Sequence, residues 1–155
     1  MRDRNSIPIL IADDDLDDCE MIRDALTESR LLNELHFVHD GEALIKWLHD
    51  KWERSQTGKN LMPGLIFLDL NMPKMDGREV LTEMKKFAHL NQIPVIVLTT
   101  SQAEEDIVRS YNLGANSFIT KPVEFESLVQ VMRDIGRYWF EIVALPKVSK
   151  GRSLK

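Results

Sequence analysis

Short unbroken apolar runs alternate along this chain with longer segments whose apolar residues recur at helical spacing. The first run, Ile7 to Ala12, precedes Leu16, Cys19, Ile22 and Leu26, which predicts a strand and then a helix from about Leu16 to Ser29. A weaker run, Leu35 to Val38, leads through Asp40 and Gly41 into a helical segment carrying Leu44, Trp47, Leu48 and Trp52. Leu65 to Leu68 is a third strand and Arg78 to Phe87 its helix; Ile93 to Thr99 and Gln102 to Leu113 form the fourth pair. Asn116 to Thr120 and Glu124 to Leu145 form the fifth. Ser55 to Gly64 is polar and rich in breakers, and reads as a mobile surface connection. Five strand–helix alternations predict an α/β fold, a doubly wound parallel sheet with helices on both faces. The domain is expected over 7–145, after a short polar extension (1–6). Residues 146–155, basic and without apolar periodicity, are expected to form a disordered tail.

The bulk numbers narrow the function. At 155 residues the chain suits one domain with a proper core. A net charge of -5 argues against a nucleic-acid surface, and no apolar run approaches a membrane span. The N-terminus carries no apolar signal segment, so a cytoplasmic location is expected. Cys19 is the sole cysteine, which excludes an internal disulfide; its place among Leu16, Ile22 and Leu26 makes it a small core residue.

Candidate chemistry gathers at the strand ends. The first strand ends in Asp13, Asp14 and Asp15, the third in Asp69, the fourth in Thr99 and Thr100, and the fifth in Lys121. In a doubly wound sheet these ends share one rim, where ligands bind. Each residue alone has an ordinary explanation: an Asp before a helix caps its free N–H groups, as Asp15 is expected to do, and strand threonines and surface lysines are common. The full set in this order is not ordinary. Converging carboxylates repel one another unless a cation sits among them. Oxygen-only ligands favour a hard ion such as Mg²⁺, and Mg²⁺ among carboxylates suits phosphoryl transfer.

The stretches "ILIADDD", "LIFLDLNMPKMDG", "VIVLTTS" and "FITKP" resemble, in that order, the receiver domains of two-component response regulators. The likeness runs from about Ile7 to Leu145. It implies a flavodoxin-like sheet of strand order 2-1-3-4-5, with Asp69 as phosphoacceptor. It further implies that Asp14 and Asp69 ligate Mg²⁺ directly, Asn71 through its backbone carbonyl and Asp13 through a water. Thr99 would hydrogen-bond the phosphoryl oxygens and Lys121 would pair with Asp69 or the phosphoryl group. The Lys121–Pro122 peptide is expected to be cis, and Phe118, with Thr99, to act as the conformational switch. Phe118 lacks the hydroxyl of a tyrosine, so an inward-turned ring would be held by packing alone; Thr100 stands where many members carry alanine.

The long connection before the third strand, with "LTTSQAEEDI" and "YWFEIVALP", is similar to small regulators paired with bacterial phytochrome kinases. That likeness implies a sensor histidine kinase of phytochrome type as partner, and leaves room for a histidine phosphotransfer protein. The implied function is a single-domain signalling switch that catalyses only its own phosphorylation and dephosphorylation. Two alternatives are weaker. A phosphohydrolase of haloacid dehalogenase type needs a second aspartate two residues after the nucleophile, and Asn71 stands there. A phosphate-independent scaffold would have no need of Asp13, Asp14, Asp69, Thr99 and Lys121 together. Ten residues after Leu145 are too few for a DNA-binding output domain, so output is expected through protein contact. The final helix carries Leu128, Val131, Met132, Ile135, Trp139, Ile142 and Val143 at core spacing. Consecutive Tyr138, Trp139 and Phe140 cannot all face one core, which predicts an outward aromatic; taken with the resemblance, it implies a homodimer through the fourth and fifth helices and the fifth strand.

Overall fold

A computed structural model of the chain describes residues 7–58, 62–100 and 103–139. Its elements follow in the order β1 (Ile9–Ala12), α1 (Leu16–Glu28), β2 (Leu35–Val38), α2 (Gly41–Ser55), β3 (Leu65–Leu68) and α3 (Gly77–Met84). They continue with α4 (Ala88–Asn91), β4 (Val95–Thr99), α5 (Glu104–Asn112), β5 (Ser117–Thr120) and α6 (Phe125–Arg137). All five strands are parallel, in the order β2-β1-β3-β4-β5, as the family resemblance implied.

Strand periodicity builds two cores. Successive side chains leave a strand on opposite faces. Ile9, Ile11, Leu65, Phe67, Ile96 and Leu98 therefore meet Ile22 and Leu26 of α1 and Leu128, Met132 and Ile135 of α6. Leu10, Ala12, Ile66, Leu68, Val95 and Val97 meet Leu44 and Leu48 of α2 and Val80, Leu81 and Met84 of α3 on the other face. Both faces of the central strands are sealed, which is why these runs are apolar throughout rather than alternating. Each side chain removed from water contributes about 1.5–3 kcal/mol, enough to fix the register that aligns the strand ends.

Helix starts obey local rules. Asp15 accepts from the N–H groups of Asp17 and Asp18 at 2.9 and 3.1 Å, as expected of a cap. Asp40 accepts from Ala43 at 2.7 Å, and Asp76 and Glu79 form a reciprocal capping box before α3. Cys19 is buried in α1.

Several boundaries differ from expectation. The third predicted helix ends early: α3 stops at Met84, and a short helix not predicted, α4, follows after Phe87 takes an extended backbone. Leu90 of α4 is fully buried, and His89 stacks on Trp52 with ring centroids 4.7 Å apart. Its Nε2 lies 3.5 Å from His49 Nδ1, and burial, then the His49 charge, lowers its pKa. Ser55 closes α2 as a buried residue, its hydroxyl donating to the Trp52 carbonyl at 2.6 Å, and Met62 packs in the core. The predicted surface connection is therefore buried at Ser55 and again at Met62 and Pro63. The last predicted helix is α6 as far as Arg137. Phe140, Ile142, Val143 and Leu145 lie outside the described residues, as do Gln102, the extension (1–6) and the tail (146–155).

Candidate functional site

Ladder hydrogen bonds carry the register past the strand ends. Asp13 N–H donates to Val38, Asp69 N–H to Ala12 and Lys121 N–H to Thr99, at 3.0, 3.0 and 2.8 Å. The predicted residues consequently converge. The Asp69 side chain is almost fully engaged: Oδ1 accepts from the Thr99 hydroxyl at 2.7 Å and from the Asn71 N–H at 3.1 Å, while Oδ2 accepts from Lys121 Nζ at 2.8 Å. Asp13 is buried; its Oδ1 accepts from the Asp15 N–H at 3.0 Å and its Oδ2 from Lys121 Nζ at 2.5 Å. Behind it, Cys19 Sγ and His39 Nδ1 contact the Asp13 carbonyl at 3.4 and 3.0 Å.

Asp14 projects into solvent at the mouth. One carboxylate oxygen each from Asp13, Asp14 and Asp69 lie within 4.8 Å of one another. Among the described residues no other group of three histidine, cysteine or carboxylate side chains converges in this way. Three hard oxygen donors, one of them reachable from water, fit a divalent cation that keeps part of its hydration.

The electrostatics agree. Burial pushes Asp13 up from 3.8 to about 6; Lys121 and the Asp15 N–H pull it back, and the Asp69 charge adds to the rise. For Lys121, burial alone would lower the pKa, but hydrogen bonds to Asp13, Asp18 and Asp69 outweigh it and hold the ammonium above its ordinary value. Burial, then the Asp13 charge, raises the Cys19 thiol to about 11, so it stays protonated and unreactive at neutral pH.

The loop from β3 to α3 is shaped by close contact. Gly77 N–H donates to the Leu70 carbonyl at 2.9 Å, and a Cβ at Gly77 would lie 2.5 Å from the Asp69 carbonyl oxygen. A Cβ at Gly41, on the first turn of α2, would lie 2.0 Å from the Met75 carbonyl oxygen. Lys74, at the tip, takes a φ of 70, and its Nζ is 3.9 Å from Asp40. Arg78 then ties the start of α3 to α5, with Nη2 2.8 Å from Asp106 Oδ1.

Phe118 is half-buried against the α2/α3 core, pairs in register with Val97, and donates its N–H to the Tyr111 hydroxyl at 3.1 Å. Thr99 is fully buried. Thr100 is exposed and, with Asp18, Met21, Lys121 and Leu128, lines a cavity of about 230 Å³ between α1 and α6. One expectation fails. The described backbone contains no cis peptide, so Lys121–Pro122 is trans, the isomer that even an X–Pro bond prefers by about 0.5–1 kcal/mol. The sequence reading also missed Asp18, whose Oδ2 lies 2.8 Å from Lys121 Nζ. An acid in the first turn of a helix reads simply as a match to the helix dipole, so only its distance from Lys121 marks it.

A parallel sheet of this order, with an acid pair, a central aspartate, a threonine and a lysine joined at one edge, defines a receiver. Residues 9–133 match the family of the response regulator receiver domain, and the chain belongs to that family. It is similar to the response regulator Rcp1 of Synechocystis sp., with 38% identity over 148 residues, covering 94% of this chain and 99% of that protein. Among solved structures, the phosphorylated cyanobacterial phytochrome response regulator RcpA aligns with a TM-score of 0.80 and 38% identity, covering 91% of this chain and 99% of that one. The Mn²⁺-bound form of Rcp1 aligns with a TM-score of 0.77 and 38% identity, covering 90% and 99%. The chain is a response regulator, a signalling protein of two-component systems. Neither alternative class, hydrolase or phosphate-free scaffold, is favoured.

Proposed function

We propose that Asp69 accepts a phosphoryl group from a sensor histidine kinase of phytochrome type, with Mg²⁺ bound by Asp14, Asp69 and the Asn71 carbonyl and, through water, by Asp13. The observation that carries this reading is the Asp69 carboxylate itself, buried at a strand end with hydroxyl, amide and ammonium donors all aimed at it. A phosphohistidine of the kinase, or of a histidine phosphotransfer protein, presents the same reactive bond. A carboxylate oxygen of Asp69 bonds to phosphorus as the phosphorus–nitrogen bond breaks, and the imidazole leaves with the electron pair. Bound Mg²⁺ supplies charge neutralisation for the incoming group. Lys121 keeps its ammonium on the reacting side, and Thr99 moves its hydrogen bond from Asp69 to a phosphoryl oxygen.

The product adds about one negative charge to the pocket. Thr99 and Lys121 reorganise around it, and Phe118 follows Thr99 inward, held by packing since it has no hydroxyl to bond. The α5, β5 and α6 face becomes the output surface, a two-state change of the kind that phosphorylation drives. On that face Val108, Tyr111 and Tyr138 are exposed, which supports a homodimer there. We place the protein in the cytoplasm with its kinase; among the described residues no helix is long and apolar enough to cross a membrane. The test is intact-mass measurement after incubation with acetyl phosphate and Mg²⁺. One phosphoryl group should be gained, and lost on Asp69→Asn or on chelation; full labelling of Asp69→Asn would refute the assignment.

A further inference from the structure

Lys121 has three N–H donors, and in this structure three separate carboxylates take them: Asp13 at 2.5 Å, Asp18 at 2.8 Å and Asp69 at 2.8 Å. A phosphoryl group on Asp69 therefore arrives at an ammonium with no free donor, and one of the three partners must yield. The Asp13 and Asp69 side chains are 2% and 8% exposed, whereas that of Asp18 is 33% exposed. Water can replace Lys121 at Asp18 far more readily than at the buried pair. The backbone N–H of Asp18 stays anchored on Asp15 Oδ1 whatever its carboxylate does, so once released by Lys121 the side chain can swing away without disturbing α1.

We propose that Asp18 competes with the phosphoryl group for Lys121: a positioning residue that occupies the third donor at rest and releases it on phosphorylation. This rests on the reading of Asp69 as phosphoacceptor. Charge acts in the same direction, because the Asp18 carboxylate, one ammonium away, repels an incoming phosphoryl dianion. Asp18 thus sets a threshold for switching that belongs to α1, outside the strand-end residues that carry the chemistry.

The test is titration with beryllofluoride, a tetrahedral phosphoryl mimic, at saturating Mg²⁺, followed by calorimetry. Asp18→Ala and Asp18→Asn should bind it about three- to tenfold tighter than the wild type, with unchanged melting temperature. Asp18→Glu, which keeps the competing carboxylate, should restore wild-type affinity. Asp17→Asn removes the same charge from the same exposed turn, and should change affinity by less than about twofold, since its carboxylate points about 100° away around the helix. The sign is decisive, because a merely structural Asp18 would weaken binding when removed. Unchanged or weaker binding in Asp18→Ala, or equal tightening in Asp17→Asn, overturns the proposal. A wild type that binds no beryllofluoride at all would instead overturn the Asp69 assignment, and this inference with it.

Discussion

Replacing Asp13 with asparagine should make the metal-free protein more stable. Asp13 is 1% exposed and its pKa rises from 3.8 to about 6 in the folded chain, chiefly through burial. At about 1.36 kcal/mol per pH unit, keeping it ionised at neutral pH costs about 3 kcal/mol relative to a neutral group in the same place. Asparagine is neutral but has one acceptor oxygen for two donors, the Asp15 N–H and Lys121 Nζ, so one hydrogen bond worth about 1 kcal/mol is lost. Lys121 is not stranded, since Asp18 and Asp69 still hold it. The net gain is about 2 kcal/mol, or roughly 4–8 °C in melting temperature for a domain of this size. The sign of the pH dependence follows from the raised pKa. Stability from Asp13 is fully present below 3.8 and lost as pH rises through about 6. The advantage of Asp13→Asn should therefore be full above neutral pH, narrow as pH falls through 6, and vanish near pH 4. Calorimetry in EDTA at several pH values measures it, and added Mg²⁺ should favour the wild type instead. A variant that melts at or below the wild type at about pH 7.5 without metal, or a gap indifferent to pH, would refute the reasoning.

Three further outcomes are expected. Asp14→Ala should abolish Mg²⁺ or Mn²⁺ binding more completely than Asp13→Ala, measured by calorimetry; equal affinities for Asp14→Ala and the wild type would move the direct ligand elsewhere. Gly77→Ala places a methyl group 2.5 Å from the Asp69 carbonyl oxygen, so it should cost about 1–3 kcal/mol in denaturant unfolding and slow labelling by acetyl phosphate. Sedimentation with and without beryllofluoride should show a homodimer, weakened by Tyr138→Glu; a monomer under both conditions at high micromolar concentration would reject the dimer.

The strands were legible because Leu65–Leu68 and Val95–Thr99 are buried on both faces, so their apolar runs have no other use. Strand ends followed from strands, and Asp13, Asp69, Thr99 and Lys121 met where the pattern placed them. Contacts between distant elements were not legible. Nothing local distinguishes Gly41 from a helix-start glycine until Met75 is seen against it, and Asp18 looks like any acid in a first turn. Helix α4 was hidden because its four residues, Leu90 alone among them buried, are too few to show a helical apolar period. Tyr138, half exposed at the end of α6, confirms an outward aromatic there, whereas Phe140 lies beyond the described residues.

The two glycines that shape the β3–α3 loop act by hard contact between uncharged atoms, which neither ionic strength nor acidity alters. The carboxylates and ammonium inside the pocket respond to both. Frame and contents therefore obey different physics, and the contents can be exchanged while the frame stays put. A designer who wants another cation or a different phosphoryl affinity should work on the charges at positions 14 and 18, and leave Gly41 and Gly77 alone.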